Sequence, residues 1–317
     1  MNKNKHKLIT LGILTAFATG IIYVINHLIF ASAILKDILN SKENYHYKWR
    51  FGNIYYTKHG TGRPILLIHD LTYCSSGYEW SKLVHSLEKE YTVYVMDLLG
   101  CGRSDKPRIT YTNYLYVQLL SDFIINVIGE RTDIIASGYS SSFAVMACKN
   151  NDQLFGKLML INPPLISSLN KAPDKKTKFY KFILELPVFG TLIYNMIASK
   201  ENVELLFTEE YYHNPFHVDP DIADAYYESA HLGGSDAKYL LSSLIGCYIN
   251  NNIYPALKSI QQDIYIVASK NEKNVTDILN QYTAANPSIE TTVINHCKHL
   301  PQLETPEAIL EQIQKYF

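Results

Sequence analysis

The stretch IIASGYSSSFAVMAC, residues 134–148, sets three consecutive serines directly after a run of strand-forming residues. Ser140 has Gly138 two positions before it and Ser142 two positions after it, the small neighbours that a sharp strand-to-helix turn requires. At the apex of such a turn a hydroxyl can act as a nucleophile once a base removes its proton. A helix beginning at Ser141 would point its free N–H groups toward the space above that hydroxyl, where an oxyanion would form. Taken alone, a serine after a strand is more often a turn or cap residue than a nucleophile. Its company changes that balance, because four other apolar runs also end in polar groups. ILLI is followed by His69 and Asp70, YVM by DLLGCGRSD, YIVAS by KNEKN, and TVIN by HCKHLPQLETPE. All five loops are expected on one edge of the sheet.

The elements that must position these groups are legible as apolar runs. YHYKWRFGNIYYTKHGTG reads as two strands around Gly52, and RPILLIHD, YTVYVMDLLG, RTDIIASGY, GKLMLINPP, QDIYIVASKN and IETTVINHC each supply a further one. Helical patterns such as WSKLVHSLEKE and NYLYVQLLSDFIINVIGE lie between them. Short, nearly continuous apolar strands alternating with helices predict an α/β fold, a mostly parallel central sheet with helices on both faces. In such sheets sites gather at the carboxyl ends of the strands. Residues 166–258, between INPP and QDIYIV, form an insertion of helical pattern rich in Tyr and Phe.

With 317 residues, 47% of them hydrophobic, the chain can bury one core of roughly 250 residues and still carry an appendage. A formal net charge of -1, without a long Lys/Arg run, argues against a nucleic-acid partner. The five cysteines are scattered, with neither a C-x-x-C pair nor zinc spacing, and read as free thiols. Nothing calls for a metal or an organic cofactor. Residues 8–35 contain no Asp, Glu, Lys or Arg. At about 1.5 Å per residue, that stretch is long enough for the ~30 Å hydrocarbon layer of a membrane. The leading expectation is therefore an N-terminal transmembrane anchor over residues 1–36, followed by a domain over 45–317. The competing one is a cleaved signal peptide, with Lys3, Lys5 and Lys7 ahead of the apolar run and Ala31-Ser32-Ala33 behind it. Lys36, Lys42, Lys48 and Arg50 on the far side balance those lysines, so the face of the membrane stays open.

Two longer motifs point to a family. DLLGCGRSDKP, residues 97–107, resembles the D-x-x-G-x-G-x-S-x-x-P loop of the α/β-hydrolase superfamily, in its branch of single-domain serine hydrolases with a helical cap. HLPQLETPEAI, residues 299–309, is similar to that branch's histidine loop. The resemblance covers about residues 45–317. It implies Ser140 as nucleophile, His299 as general base and Glu272 as the acid, because SKNEKNV sets Ser269 and Glu272 at the ends of the family's G-x-x-D. The backbone N–H groups of Leu71 and Ser141 would form the oxyanion hole. Residues 166–258 would be the cap, and a cap this apolar implies an acyl or other lipophilic substrate, in keeping with a membrane anchor. The implied function is a serine hydrolase of carboxylic esters or related acyl compounds. A weak or inactive membrane binding protein, and a C–C or peptide-bond hydrolase with the same triad, are the alternatives. Two departures bear on that choice. Asp70 stands where the family has glycine and brings a negative charge to the oxyanion site, and Ser142 replaces the second glycine of G-x-S-x-G.

Overall fold

The computed structural model describes residues 2–317, with side chains from His6 onward, so Lys3 and Lys5 lie outside the described side chains. Helix α1, Asn2–Ala33, precedes an eight-stranded sheet. Its strands are β1 (Tyr45–Trp49), β2 (Gly52–His59), β3 (Arg63–Ile68), β4 (Tyr91–Met96), β5 (Thr132–Ser137), β6 (Phe155–Ile161), β7 (Ile264–Ser269) and β8 (Glu290–Ile294). They lie in the order β1-β2-β4-β3-β5-β6-β7-β8. The first two pairings are antiparallel and the remaining five parallel. The central strands are buried on both faces, as their unbroken Ile, Leu and Val content requires.

Alternate residues of β3 serve opposite layers. Leu66 and Ile68 join one core with Ile134, Phe123 and Phe143, under α3 (Asn113–Phe123) and α4 (Ser140–Asn150). Ile65 and Leu67 join the other with Leu83, from α2 (Ser81–Leu87), and with Ile309 and Ile313 from the C-terminal helix. Truncating one of these fully buried aliphatics to alanine costs about 2–5 kcal/mol.

The helical insertion after β6 comprises α5 (Ile166–Leu169), α6 (Lys175–Glu185), α7 (Phe189–Ile197), α8 (Lys200–Leu205), α9 (Pro220–His231) and α10 (Lys238–Ile245). The chain then continues through α11 (Tyr254–Ser259), α12 (Val275–Ala285), α13 (Pro301–Glu304) and α14 (Pro306–Tyr316). The insertion has its own core, which includes Tyr194, Phe207, Tyr226 and Leu303. It also grips the start of the chain. Glu228 accepts the Ile38 N–H at 2.8 Å and the Leu39 N–H at 3.3 Å, and Asp224 pairs with both Lys36 and Lys200. On α1, Asn26 and Ala33 are buried one above the other, seven residues apart, against this helical layer.

Candidate active site

Parallel register brings the site together. Ile68 of β3 lies opposite Ala136 of β5, so Asp70 and Gly138, each two residues further on, emerge at the same sheet edge. The strand ends at Ser137, and the left-handed backbone of the turn falls on Gly138, φ +52°. Tyr139 follows as the residue before α4.

This placement corrects the expectation for Ser140. The apex of the elbow is Gly138, and Ser140 is the first residue of the helix, fully buried, with its hydroxyl donating to the His69 carbonyl. Ser141 is corrected as well. Its N–H donates to the Gly138 carbonyl at 3.1 Å inside the first turn and is not free for an oxyanion. The physical reason is one of frame. Ala136-Ser137-Gly138-Tyr139-Ser140 satisfies the small-x-apex-x-small requirement as well as Gly138 to Ser142 does, and the end of β5 selects the former.

The space above the elbow is occupied by Asp70. A Cβ added to Gly138 would fall 2.1 Å from Asp70 Oδ1 and 2.2 Å from its Cγ, so the carboxylate stands where an elbow side chain would stand. Oδ1 accepts two backbone N–H bonds, from Leu71 and from Tyr139, each at 2.7 Å. Oδ2 lies 3.0 Å from His299 Nε2, and His299 Nδ1 lies 3.2 Å from Glu272 Oε2. The structure thus joins Leu71, Glu272 and His299 with Asp70 and the Tyr139 N–H, and sets Ser140 and Ser141 apart.

Second contacts hold this arrangement rigid. His69 Nε2 accepts the Leu98 N–H at 3.0 Å, so Nδ1 carries the proton and donates to the Asp70 carbonyl at 2.6 Å. Glu79, fully buried, accepts the Asp70 N–H at 3.1 Å and the Gln302 amide at 2.6 Å. Burial, and then the neighbouring Asp70 charge, raise its pKa to about 7. Asn162, at the end of β6, donates to the Lys298 and His299 carbonyls at 2.9 Å and steadies the histidine loop. Glu304 accepts the N–H groups of His213 and Asn214 at 2.8 and 3.0 Å and ties that loop to the helical insertion. Asp97 and Arg103 brace their own loop through bonds of 2.7 to 2.9 Å. Gly138, the Tyr139 N–H, Glu79, Asn162 and Gln302 were not marked by the sequence. Only the second reading frame of the elbow could have pointed to Gly138.

With a carboxylate at each ring nitrogen, His299 can satisfy both only as the doubly protonated cation. Burial acts to lower its pKa, but the hydrogen bonds and charges of Asp70 and Glu272 outweigh burial and raise it to about 10. A folded-state value above the unfolded one, about 6.5, contributes stability that is complete below pH 6.5 and is lost as the pH rises through about 10. The gap in denaturant midpoint between the wild type and His299→Gln is therefore expected to be widest below pH 6.5 and to narrow steadily toward pH 10. A gap that widens with pH would contradict the imidazolium.

A cavity of about 460 Å³ opens over Asp70 and His299, lined by Thr72, Tyr73, Tyr139, Leu206, Tyr211 and Leu244. The Tyr211 ring stacks on His299 with centroids 5.1 Å apart. Burial pushes the hydroxyl pKa values of Tyr73, Tyr139 and Tyr211 upward, which keeps all three protonated as donors. The arrangement combines a carboxylate held by two backbone donors, a histidine cation beside it, and an apolar chamber with hydroxyl groups.

Comparison with known proteins agrees with this architecture. The sequence pattern of the alpha/beta hydrolase family matches residues 65–312. A soluble epoxide hydrolase of Corynebacterium sp. (strain C12) is 21% identical over 271 residues, which is 83% of this chain and 93% of that protein. Among solved structures, an epoxide hydrolase superposes with a TM-score of 0.70 at 18% identity, over 86% of this chain and 98% of its own. A membrane phospholipase A, described as a bacterial virulence factor, superposes with a TM-score of 0.68 at 18% identity, over 98% of this chain and 97% of its own. Sequence pattern, sheet order and the position of the site at the strand ends agree, and the chain belongs to the alpha/beta hydrolase family.

Proposed function

We propose that this chain is a hydrolase that opens a lipophilic epoxide, with the Asp70 carboxylate as nucleophile, His299 and Glu272 as the base pair of the second step, and α1 as a membrane anchor. The observation that carries the reading is the set of bonds on Asp70: Oδ1 on two backbone N–H groups and Oδ2 facing His299. An ester-cleaving serine needs a hydroxyl at the elbow and two vacant donors above it. Gly138 has no hydroxyl, and Asp70 Oδ1 takes up both donors.

A carboxylate nucleophile uses the same geometry productively. Attack by Oδ2 on an epoxide carbon forms an Asp70 ester and breaks the ring C–O bond. Asp70 thereby loses its charge, and with it goes one of the two carboxylates that hold the proton on His299. A cavity tyrosine hydroxyl neutralises the new alkoxide, and the His299 proton then passes to that tyrosine and leaves a neutral imidazole. His299 then takes a proton from water, which attacks Cγ of the ester. The oxyanion forms on Oδ1, where the Leu71 and Tyr139 N–H groups already point. Collapse releases the diol and returns Asp70 as a carboxylate. The similarity to an epoxide hydrolase over most of both chains supports this substrate class. The apolar cavity lining favours a lipophilic member of it. Helix α1 is long and apolar enough to cross a membrane, which supports the anchor.

The test is a single turnover with excess enzyme in H₂¹⁸O. The heavy oxygen is expected in the peptide that contains Asp70 and not in the diol. Label found only in the diol would mean that water attacks the substrate directly. No turnover of any epoxide, together with no labelling of Asp70, would favour a binding protein. Ser140→Ala is expected to keep turnover within about threefold while costing about 1–3 kcal/mol of stability, since it removes only a buried bond to the His69 carbonyl. Wild-type protein is likewise expected to be inert to fluorophosphonate probes, and labelling at Ser140 would restore the serine route.

A further inference from the structure

We infer that the α6–α7 face of the helical insertion is a second membrane-binding surface, seated on the headgroups of an anionic bilayer beside the anchor. The inference rests on reading α1 as a membrane span. α6 exposes Phe179 and Phe182, 58% and 59% accessible, and the lysines Lys175 and Lys178 four positions before each of them, with Lys176 alongside. At that spacing the aromatic rings and the ammonium groups flank one another on the helix surface. α7 exposes Phe189 and Met196, seven residues apart and therefore on one side of that helix. α6 and the helical run that starts with α7 meet at 103°, with residues 186–188 at the corner. Basic groups interleaved with exposed aromatics are the composition of a helix that lies in a membrane interface.

The depth of this surface follows from α1. About 20 helical residues cross a ~30 Å hydrocarbon layer, so a span that begins at Leu8 reaches its far boundary near residue 27. At that level Asn26 donates to the Val188 carbonyl at 3.0 Å and accepts from the Asn195 amide at 2.9 Å. The α6–α7 corner is therefore pinned to the anchor where the anchor leaves the hydrocarbon. Phe189 and Phe182 are then set against the acyl boundary, and Lys175, Lys176 and Lys178 can reach anionic headgroups. Residues 36–39 are clamped to α9 just beyond the helix, so the domain has no slack with which to lift this face away.

The experiment uses the full chain reconstituted in vesicles of phosphatidylcholine and phosphatidylglycerol with brominated acyl chains. Single tryptophans are introduced by Phe182→Trp, Phe189→Trp, Leu14→Trp and Tyr114→Trp, each read as the difference from wild-type protein, whose Trp49 and Trp80 are buried. A side chain seated roughly 5–10 Å into the interface is expected to lose about half of its emission at positions 182 and 189, and an exposed one at position 114 almost none. Lys175→Gln, Lys176→Gln and Lys178→Gln combined are expected to reduce quenching at 182 in anionic vesicles and to make it equal to that in pure phosphatidylcholine. Quenching at 14 without quenching at 182 and 189 overturns the docking surface and leaves the anchor in place. Absence of quenching at 14 overturns the anchor itself. A blue shift at 182 without bromine quenching means that a protein, such as a second copy of this chain, covers the face, and it also overturns the inference.

Discussion

Asp70→Asn is expected to lower epoxide turnover by at least about a thousandfold while leaving the fold intact, the scale seen when a covalent nucleophile is removed. The amide is almost isosteric with the carboxylate. Its oxygen can still accept the Leu71 and Tyr139 N–H bonds, and its NH₂ group replaces Oδ2 opposite His299. What disappears is the nucleophilic oxygen and the charge that helps hold His299 protonated. The comparison that gives the result meaning is with Ser140→Ala, expected to stay near wild type. A folded Asp70→Asn enzyme with undiminished turnover would remove the carboxylate from the mechanism.

The second large effect belongs to His299. In the two-step scheme His299→Gln spares the attack by Asp70 and stops the water from attacking the ester. The intact mass of the variant is expected to rise by one substrate equivalent and stay there, with the adduct mapped to the peptide containing Asp70. Its hydrolysis should slow by about 10²–10⁴, the usual contribution of a general base. The adduct should form with every epoxide that the wild type turns over. A variant that loses turnover without accumulating any adduct would mean that His299 acts before a covalent bond is made. In that case Asp70 would be holding His299 in place and not attacking the substrate.

The same residues separate what a sequence can carry from what only packing decides. The α/β architecture was legible because each central strand is a short, unbroken apolar run, and burial on both faces leaves no alternative pattern for it. The family was legible because DLLGCGRSDKP and HLPQLETPEAI are local: Asp97 meets Arg103 six residues away, and Glu304 meets Lys298 six residues away. The span-like character of α1 is likewise a matter of local composition. The identity of the elbow residue was not local in this sense. Two frames of small residues one dipeptide apart satisfy the same turn, and the choice between them was made where β5 stops pairing with β6, at Ser137 opposite Ile161. Asp70 shows the same limit more sharply. As a sequence feature it is a charge in a place that disfavours charge, and it reads as a defect in an oxyanion hole. Only the parallel register of β3 and β5 sets its side chain over a glycine whose missing Cβ leaves room for it, against a backbone N–H 69 positions away and a histidine 229 positions away. Apolar runs and loop motifs are properties of neighbours along the chain, so the sequence determines them. The groups that face a carboxylate across a sheet edge are set by strand order and register, and those are settled only when the whole core packs.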